Sequence, residues 1–209
     1  MKQFILMADI ISSRNYPSKN LINDFKSIVQ STNKKYKEQM ISPLTITLGD
    51  EFQGVINDLK SSISIILYIE EECIRRKFGF KFRFVVNQGV IDTMVNHKIA
   101  YEMLGAGLTD ARNKLIEIKD SIDRFYIILE DEFISGILNN AFKVFQNIVS
   151  KWKLYQDYEM AYNFIIHRDY KKVAEVMGRN RSLIWKREKS LEMDSYYAIK
   201  NIIQQISQK

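Results

Sequence analysis

The chain has 209 residues, 46% of them hydrophobic and 27% charged, with a formal net charge of +6. Such a composition suits a globular chain with a core of its own and excludes low-complexity polymers, and the length suits one domain or a domain with a small appendage. The single cysteine, Cys73, excludes an internal disulfide framework, and no apolar run reaches the eighteen or so residues of a membrane span, so a cytoplasmic protein without membrane contact is expected.

QFILMADI (3–10) is dense in apolar residues and closes on Asp9. That acid, and the lack of a cleavage-site pattern, make the run a first strand and not a signal peptide. After Pro17, Leu21, Phe25, Ile28 and Val29 recur at helical spacing. LTITL (44–48) and FQGVI (52–56) read as a hairpin around Gly49, Asp50 and Glu51. LKSSISIILYIEEECIRRKF (59–78) is a second amphipathic helix, expected to close at Gly79, and FKFRFVVNQGVI (80–91) alternates at period two as a long strand. YEMLGAGLTDARNKLIEI (101–118) is a loop leading into a third helix, RFYIILE (124–130) is a further strand, and only helical patterns follow Asp131. This order predicts an α+β chain: a ferredoxin-like (βαββαβ) sheet with helices on one face in residues 1–149, then an α-helical domain in 150–209.

Charge is unevenly placed. Through residue 150, 19 Lys/Arg face 18 Asp/Glu, whereas the remainder holds 12 against 7. A basic tail suggests an anionic partner. Within it, YKKVAEVMGRNRSLIWKREKSL (170–191) carries what a helix-turn-helix needs: small Ala174 where two helices cross, Gly178 at the turn, Ile184 beyond it, and Val173 and Met177 as anchors. The second helix is left with Asn180, Arg181, Ser182, Trp185, Lys186, Arg187 and Lys189, residue types that reach base edges and phosphates of double-stranded DNA. Arg187 stands where an apolar residue is usual, with Leu191 available for that contact. A helical hairpin used for dimerisation, with a solvated basic face, fits the same residues. DSYYAIKNIIQQI (194–206) is expected to pack on this motif or on a second copy, and a homodimer would suit palindromic DNA.

Asp9 ends the first strand and Asp50 sits at the hairpin beside it, so both carboxylates can approach one point. Converging carboxylates repel unless a cation lies between them, and Mg or Mn is held by one or two carboxylates plus phosphate oxygens. The pair is a minimal kit for binding a nucleoside triphosphate and for phosphoryl or nucleotidyl transfer. Ser12, Ser13 and Arg14 follow Asp9 and can cradle phosphates, with Glu51 at the same turn. A strand-end acid, a polar turn and an ordinary strand-to-helix loop fit these residues equally well. His97 and His167 lie far apart in sequence and support no zinc site.

MADIISSR (7–14) with TLGDEFQGV (47–55) resembles the metal-binding pair of class III nucleotidyl cyclases, and its letters echo the GGDEF domains of diguanylate cyclases. MLGAGLTDAR (103–112) is similar to the cyclase segment in which a glycine loop opens a helix ending in Ala-Arg. Over essentially its whole length the chain resembles the SatD family, through ADI-x-x-SR, LGDEFQG, RF-x-x-x-x-G and the C-terminal helix-turn-helix. The resemblance implies Asp9 and Asp50 as metal ligands, Arg112 as the arginine that steadies transferring phosphates, Mg or Mn with a nucleoside triphosphate, and a bacterial stress or acid-tolerance setting. It departs at Ile46, where adenine-using cyclases carry lysine, and at Leu108, where they carry asparagine. These departures favour a regulator, in which a nucleotide- or metal-sensing domain biases a DNA-binding tail. The alternatives are a Mg- or Mn-dependent nucleotidyl cyclase or nucleotidyltransferase using Asp9, Asp50 and Arg112, and a dimerisation module.

Overall fold

In the computed structural model of the chain, which describes residues 2–208, β1 (Lys2–Ile10) is the middle strand of a five-stranded sheet. Ile5, Leu6, Met7 and Ala8 are all buried, so the strand is apolar on both faces and both must be covered. β3 (Glu51–Ile56) and β4 (Phe82–Val90) flank it, each antiparallel to it. β2 (Met40–Leu48) pairs with β3 at one edge and β5 (Phe125–Ile128) runs parallel to β4 at the other, in the order β2-β3-β1-β4-β5. The first four strands have the ferredoxin-like order expected from the sequence.

The helices are not confined to one face. α1 (Ser18–Lys35), α2 (Leu59–Arg75) and α4 (Glu132–Val149) share a core with Leu6, Ala8, Phe52, Phe82 and Phe84. α3 (Ala106–Glu117) covers the opposite face, where Leu108, Ala111 and Leu115 meet Ile5, Met7, Val55 and Val85. The correction follows from β1 itself, whose unbroken apolar run leaves no face for water. α3 approaches closely because Gly89 and Gly107 meet: a Cβ on Gly107 would lie 2.6–2.8 Å from the backbone of Gly89 and Val90. Asn87 Nδ2 fixes the contact by donating to the Gly107 carbonyl at 2.8 Å.

Two further boundaries differ from expectation. α2 stops at Arg75, with Lys77 and not Gly79 taking positive φ (+56°), while the Phe78 N–H donates to the Cys73 carbonyl at 2.9 Å and turns the Phe78 ring into the core. Glu51 is no part of the turn; it opens β3 and is buried.

Both sheet edges are capped by amide side chains. Asn33 of α1 donates to the carbonyl and accepts from the N–H of Leu44 on β2, both at 2.8 Å. Asn139 of α4 does the same for Ile127 on β5, at 3.0 and 2.8 Å. Edge groups satisfied in this way do not template another strand.

The C-terminal helices are α5 (Tyr158–His167), α6 (Tyr170–Val176), α7 (Arg181–Ser190) and α8 (Met193–Ile206). One chain of rings joins them to the sheet. Phe84, Phe125 and Phe142 stack with centroids 5.7 and 4.7 Å apart, Phe145 follows at 6.1 Å, and Tyr196 of α8 lies 5.6 Å beyond it, with Trp152 at 5.2 Å. The apolar core is therefore continuous through residues 149–152.

Gly107→Ala should destabilise the chain by about 1–3 kcal/mol through overpacking against backbone. Gly136→Ala on α4, where a Cβ meets nothing within 4 Å, should stabilise it by roughly 0.5–1 kcal/mol. Urea midpoints check both. Burial, reinforced by Glu71, Glu70 and Glu188 respectively, raises Tyr36, Tyr158 and Tyr197 to about 12. Their unfolded value is 10.0, so the stability they contribute is complete below pH 10 and is lost between about pH 10 and 12. Phenolate absorbance should show these rings titrating together with alkaline unfolding.

Candidate functional site

Where β1 ends and β3 and β4 begin, Asp9 lies opposite Glu51 on one side and Arg83 on the other. Directly opposed residues share a face of the sheet, and this is the α3 face reached by Ile5 and Met7. Asp9 is 4% exposed and Arg83 6%. Arg83 Nη1 donates to both carboxylate oxygens of Asp9, at 3.0 and 2.8 Å, and Nη2 donates to the Lys119 carbonyl at 3.1 Å. Lys119 Nζ stands 3.8 Å from Asp9 and 3.3 Å from Glu51, and Arg112 of α3 stands 3.4 Å from the other oxygen of Glu51. Burial holds the Asp9 carboxyl above its usual range, and Arg83 and Lys119 offset that rise only in part.

Before this cluster opens a cleft of about 390 Å³, lined by Asp9, Arg83 and Lys119 together with Ser12, Ser13, Arg14 and Asp50. Asp50 lies in the tight turn between β2 and β3. Ser13 Oγ donates to Asp50 Oδ2 at 2.5 Å and the Ile10 N–H to the Asp50 carbonyl at 3.0 Å, so the loop after β1 is tied to the hairpin. Ser12, at φ +54°, turns the chain there, and Arg14 is exposed on the short 3-10 turn that follows. The structure thus gathers Asp9, Asp50, Ser12, Ser13 and Arg14 around one cleft. Glu51 sits beneath it. Arg112 lines a neighbouring groove with Met7, Gln53, Tyr101 and Leu108.

A divalent ion on Asp9 needs a free carboxylate oxygen, and both accept from a guanidinium with an ammonium nearby. Among the described residues no three His, Cys, Asp or Glu side chains group to hold a metal. As arranged, these residues do not fit a Mg or Mn ion bridging Asp9 and Asp50, and no step is derived through one.

Arg83 enters the sequence reading only as the first residue of RF-x-x-x-x-G, with no role assigned, and Lys119 escapes it. Arg83 carried a signal, being a charge in the phase of a period-two strand that also contains buried Val85. Lys119 carried none, since only the fold of α3 across the sheet returns it to Asp9.

In the tail, α6 and α7 are joined by a short turn with Gly178 at φ +60°, while Val173, Ala174 and Ile184 are buried beneath it. Asn180 caps α7, its Oδ1 accepting from the Ser182 N–H at 2.8 Å. Arg187 pairs with Asp157 at the start of α5, which explains a charge where an apolar residue is usual, and buried Leu191 supplies the apolar contact. Lys189 reaches Asp194 at 2.5 Å. Arg181, Ser182, Trp185 and Lys186 remain on the open surface.

The family model described as the SatD family matches residues 4–206. The chain belongs to the SatD family. Among solved structures, a bacterial light-regulated adenylyl cyclase is 15% identical, with 60% of this chain and 74% of that chain covered and a TM-score of 0.44. Adenylyl cyclase CyaB from P. aeruginosa is 12% identical, with 56% and 71% covered and a TM-score of 0.42. Guanylyl cyclase Cya2 is 11% identical, with 61% and 74% covered and a TM-score of 0.41. No curated protein matches the chain.

In this SatD-family chain, Arg83→Gln leaves Asp9 buried without its counter-charge and should cost about 3–5 kcal/mol at neutral pH. Asp9 then binds a proton more tightly in the folded than in the unfolded chain, so folded stability rises as pH falls. The deficit in urea midpoint should shrink from pH 8 towards pH 5. A deficit independent of pH would contradict the pairing.

Proposed function

We propose that this SatD-family protein is a ligand-responsive regulator, in which the Asp9–Asp50 cleft binds the phosphates of a nucleotide and the C-terminal helices, as a homodimer, bind double-stranded DNA. The observation that carries this reading is the ion pair of Asp9 with Arg83. It withdraws one of the two carboxylates that two-metal transfer chemistry uses, while Arg14 and Lys119 keep positive charge on the cleft. Arg112 is paired with Glu51 outside the cleft lining, which further supports binding over turnover. For the tail, the support is the exposed Arg181, Trp185 and Lys186 on a helix that follows a tight turn, together with the basic excess of that part of the chain.

Electrophoretic retardation with DNA fragments and full-length protein tests the tail. Retardation should weaken steeply with salt. Arg181→Ala with Lys186→Ala should reduce affinity about tenfold or more and lower the salt slope by roughly two contacts' worth. No retardation at low salt would overturn the DNA assignment. Turnover of labelled ATP or GTP with Mn²⁺, abolished by Asp50→Asn, would make the protein an enzyme instead.

A further inference from the structure

The cation chemistry of the cleft leads beyond the reading of it as a phosphate site, on which the following rests. We infer that Arg83 is a built-in substitute for a divalent ion, and that the cleft takes a nucleoside polyphosphate as the free anion, without bound metal.

Three observations support this. Arg83 engages both oxygens of Asp9 inside the protein, with its Nη2 also committed to the Lys119 carbonyl. This is the charge-neutralising and orienting work that an ion bound to Asp9 would do, performed by a group that does not dissociate. A dication brought to Asp9 would have to displace a planar guanidinium that is 6% exposed and would lie next to the Lys119 ammonium. Finally, two cations line the open side, Arg14 and Lys119, the latter also 3.8 Å from Asp9 and 3.3 Å from Glu51. Lys119 has 45% of its side chain exposed, and Arg14 stands on the loop across from it. Arg14 and Lys119 can therefore clamp a phosphate chain between the loop after β1 and the end of α3, with the hydroxyl of Ser12 as a further donor.

Asp50 decides between this arrangement and a metal site. Its carboxylate accepts from Ser13 Oγ and has no cationic partner among the described residues. Had the ligand carried Mg²⁺, Asp50 would hold the ion and its removal would weaken binding. Facing a free anion, Asp50 repels it and its removal strengthens binding. The two arrangements predict opposite signs for one substitution.

The test is isothermal titration of the full chain with ATP, GTP and sodium triphosphate, each with EDTA and again with excess Mg²⁺. Binding should occur in EDTA at least as tightly as in Mg²⁺. Asp50→Asn should tighten the EDTA binding roughly fivefold. Lys119→Gln, at an exposed position that leaves Asp9 its arginine, should weaken it about tenfold. Arg83→Gln, with folding verified by circular dichroism, should lose the EDTA binding and gain Mn²⁺-dependent binding; Lys119→Gln and Asp50→Asn carry the test if that variant does not fold. Binding confined to Mg²⁺ or Mn²⁺ and weakened by Asp50→Asn would overturn this inference while leaving the cleft a nucleotide site. Binding of none of the three under either condition would remove the phosphate site itself, and this inference with it.

Discussion

An acid closing a strand that is shielded from water on both faces governs the chemistry of this molecule. β1 is packed between α1 and α2 on one side and α3 on the other, and Asp9 closes it on the α3 side, the face of Ile5 and Met7. An unpaired carboxylate in such surroundings is costly, and the antiparallel register places Arg83 directly beside it. Once Arg83 is paired, the remaining charges arrange themselves around it. Lys119 bridges towards Glu51, and Arg112 takes the outer oxygen of Glu51. The cleft is therefore rimmed by residues that the sheet geometry fixes, and the loop carrying Ser13 locks its open side to Asp50.

The tail is attached to the same frame through Glu71, the middle one of three consecutive acids of α2. Successive helical residues point about 100° apart, so each serves a different neighbour. Glu70 holds Arg124 with two bonds at 2.9 and 2.8 Å in a buried pair. Glu71 accepts from Tyr196 at 2.7 Å and from Lys200, both on α8. Glu72 takes Arg75 and Arg76, and Arg76 reaches Ser27 and Ser31 of α1. Arg124 also donates to the Phe82 carbonyl at 2.8 Å, and its own carbonyl accepts from the Phe84 N–H at 2.7 Å. Those two contacts bracket Arg83. The strand that supplies the cleft arginine and the helix that braces the tail are thus tied to adjacent residues of one helix. A regulator of the proposed kind requires such a physical connection between its two parts.

Much of this was legible in the chain because local patterns and burial agreed. Period-two alternation in 80–91 and helical spacing in 17–40 and 59–78 specified elements that the structure contains, although α1 stops at Lys35 and Met40 already belongs to β2, and the hairpin order specified the ferredoxin-like pairing. Gly178 at positive φ and buried Ala174 match the turn read from the tail. What stayed hidden was long-range. Asp9 and Asp50 were visible as acids at strand ends, but the partner of Asp9 lies 74 residues away and emerges only from the β1–β4 register. Likewise, the pairing of Arg187 with Asp157 spans 30 residues and turns a candidate DNA contact into an internal brace. The covering of the second sheet face depended on a close approach of Gly89 to Gly107, which no periodicity announces.

The central claim is that Asp9 is held by an arginine and not by a metal ion. The most direct measurement is a crystal structure of the protein soaked with Mn²⁺ and nucleotide, using anomalous scattering to locate manganese. The account predicts Arg83 still bonded to both oxygens of Asp9, with no manganese on that side chain. A manganese peak at about 2.1 Å from an Asp9 oxygen, with Arg83 displaced, would contradict it.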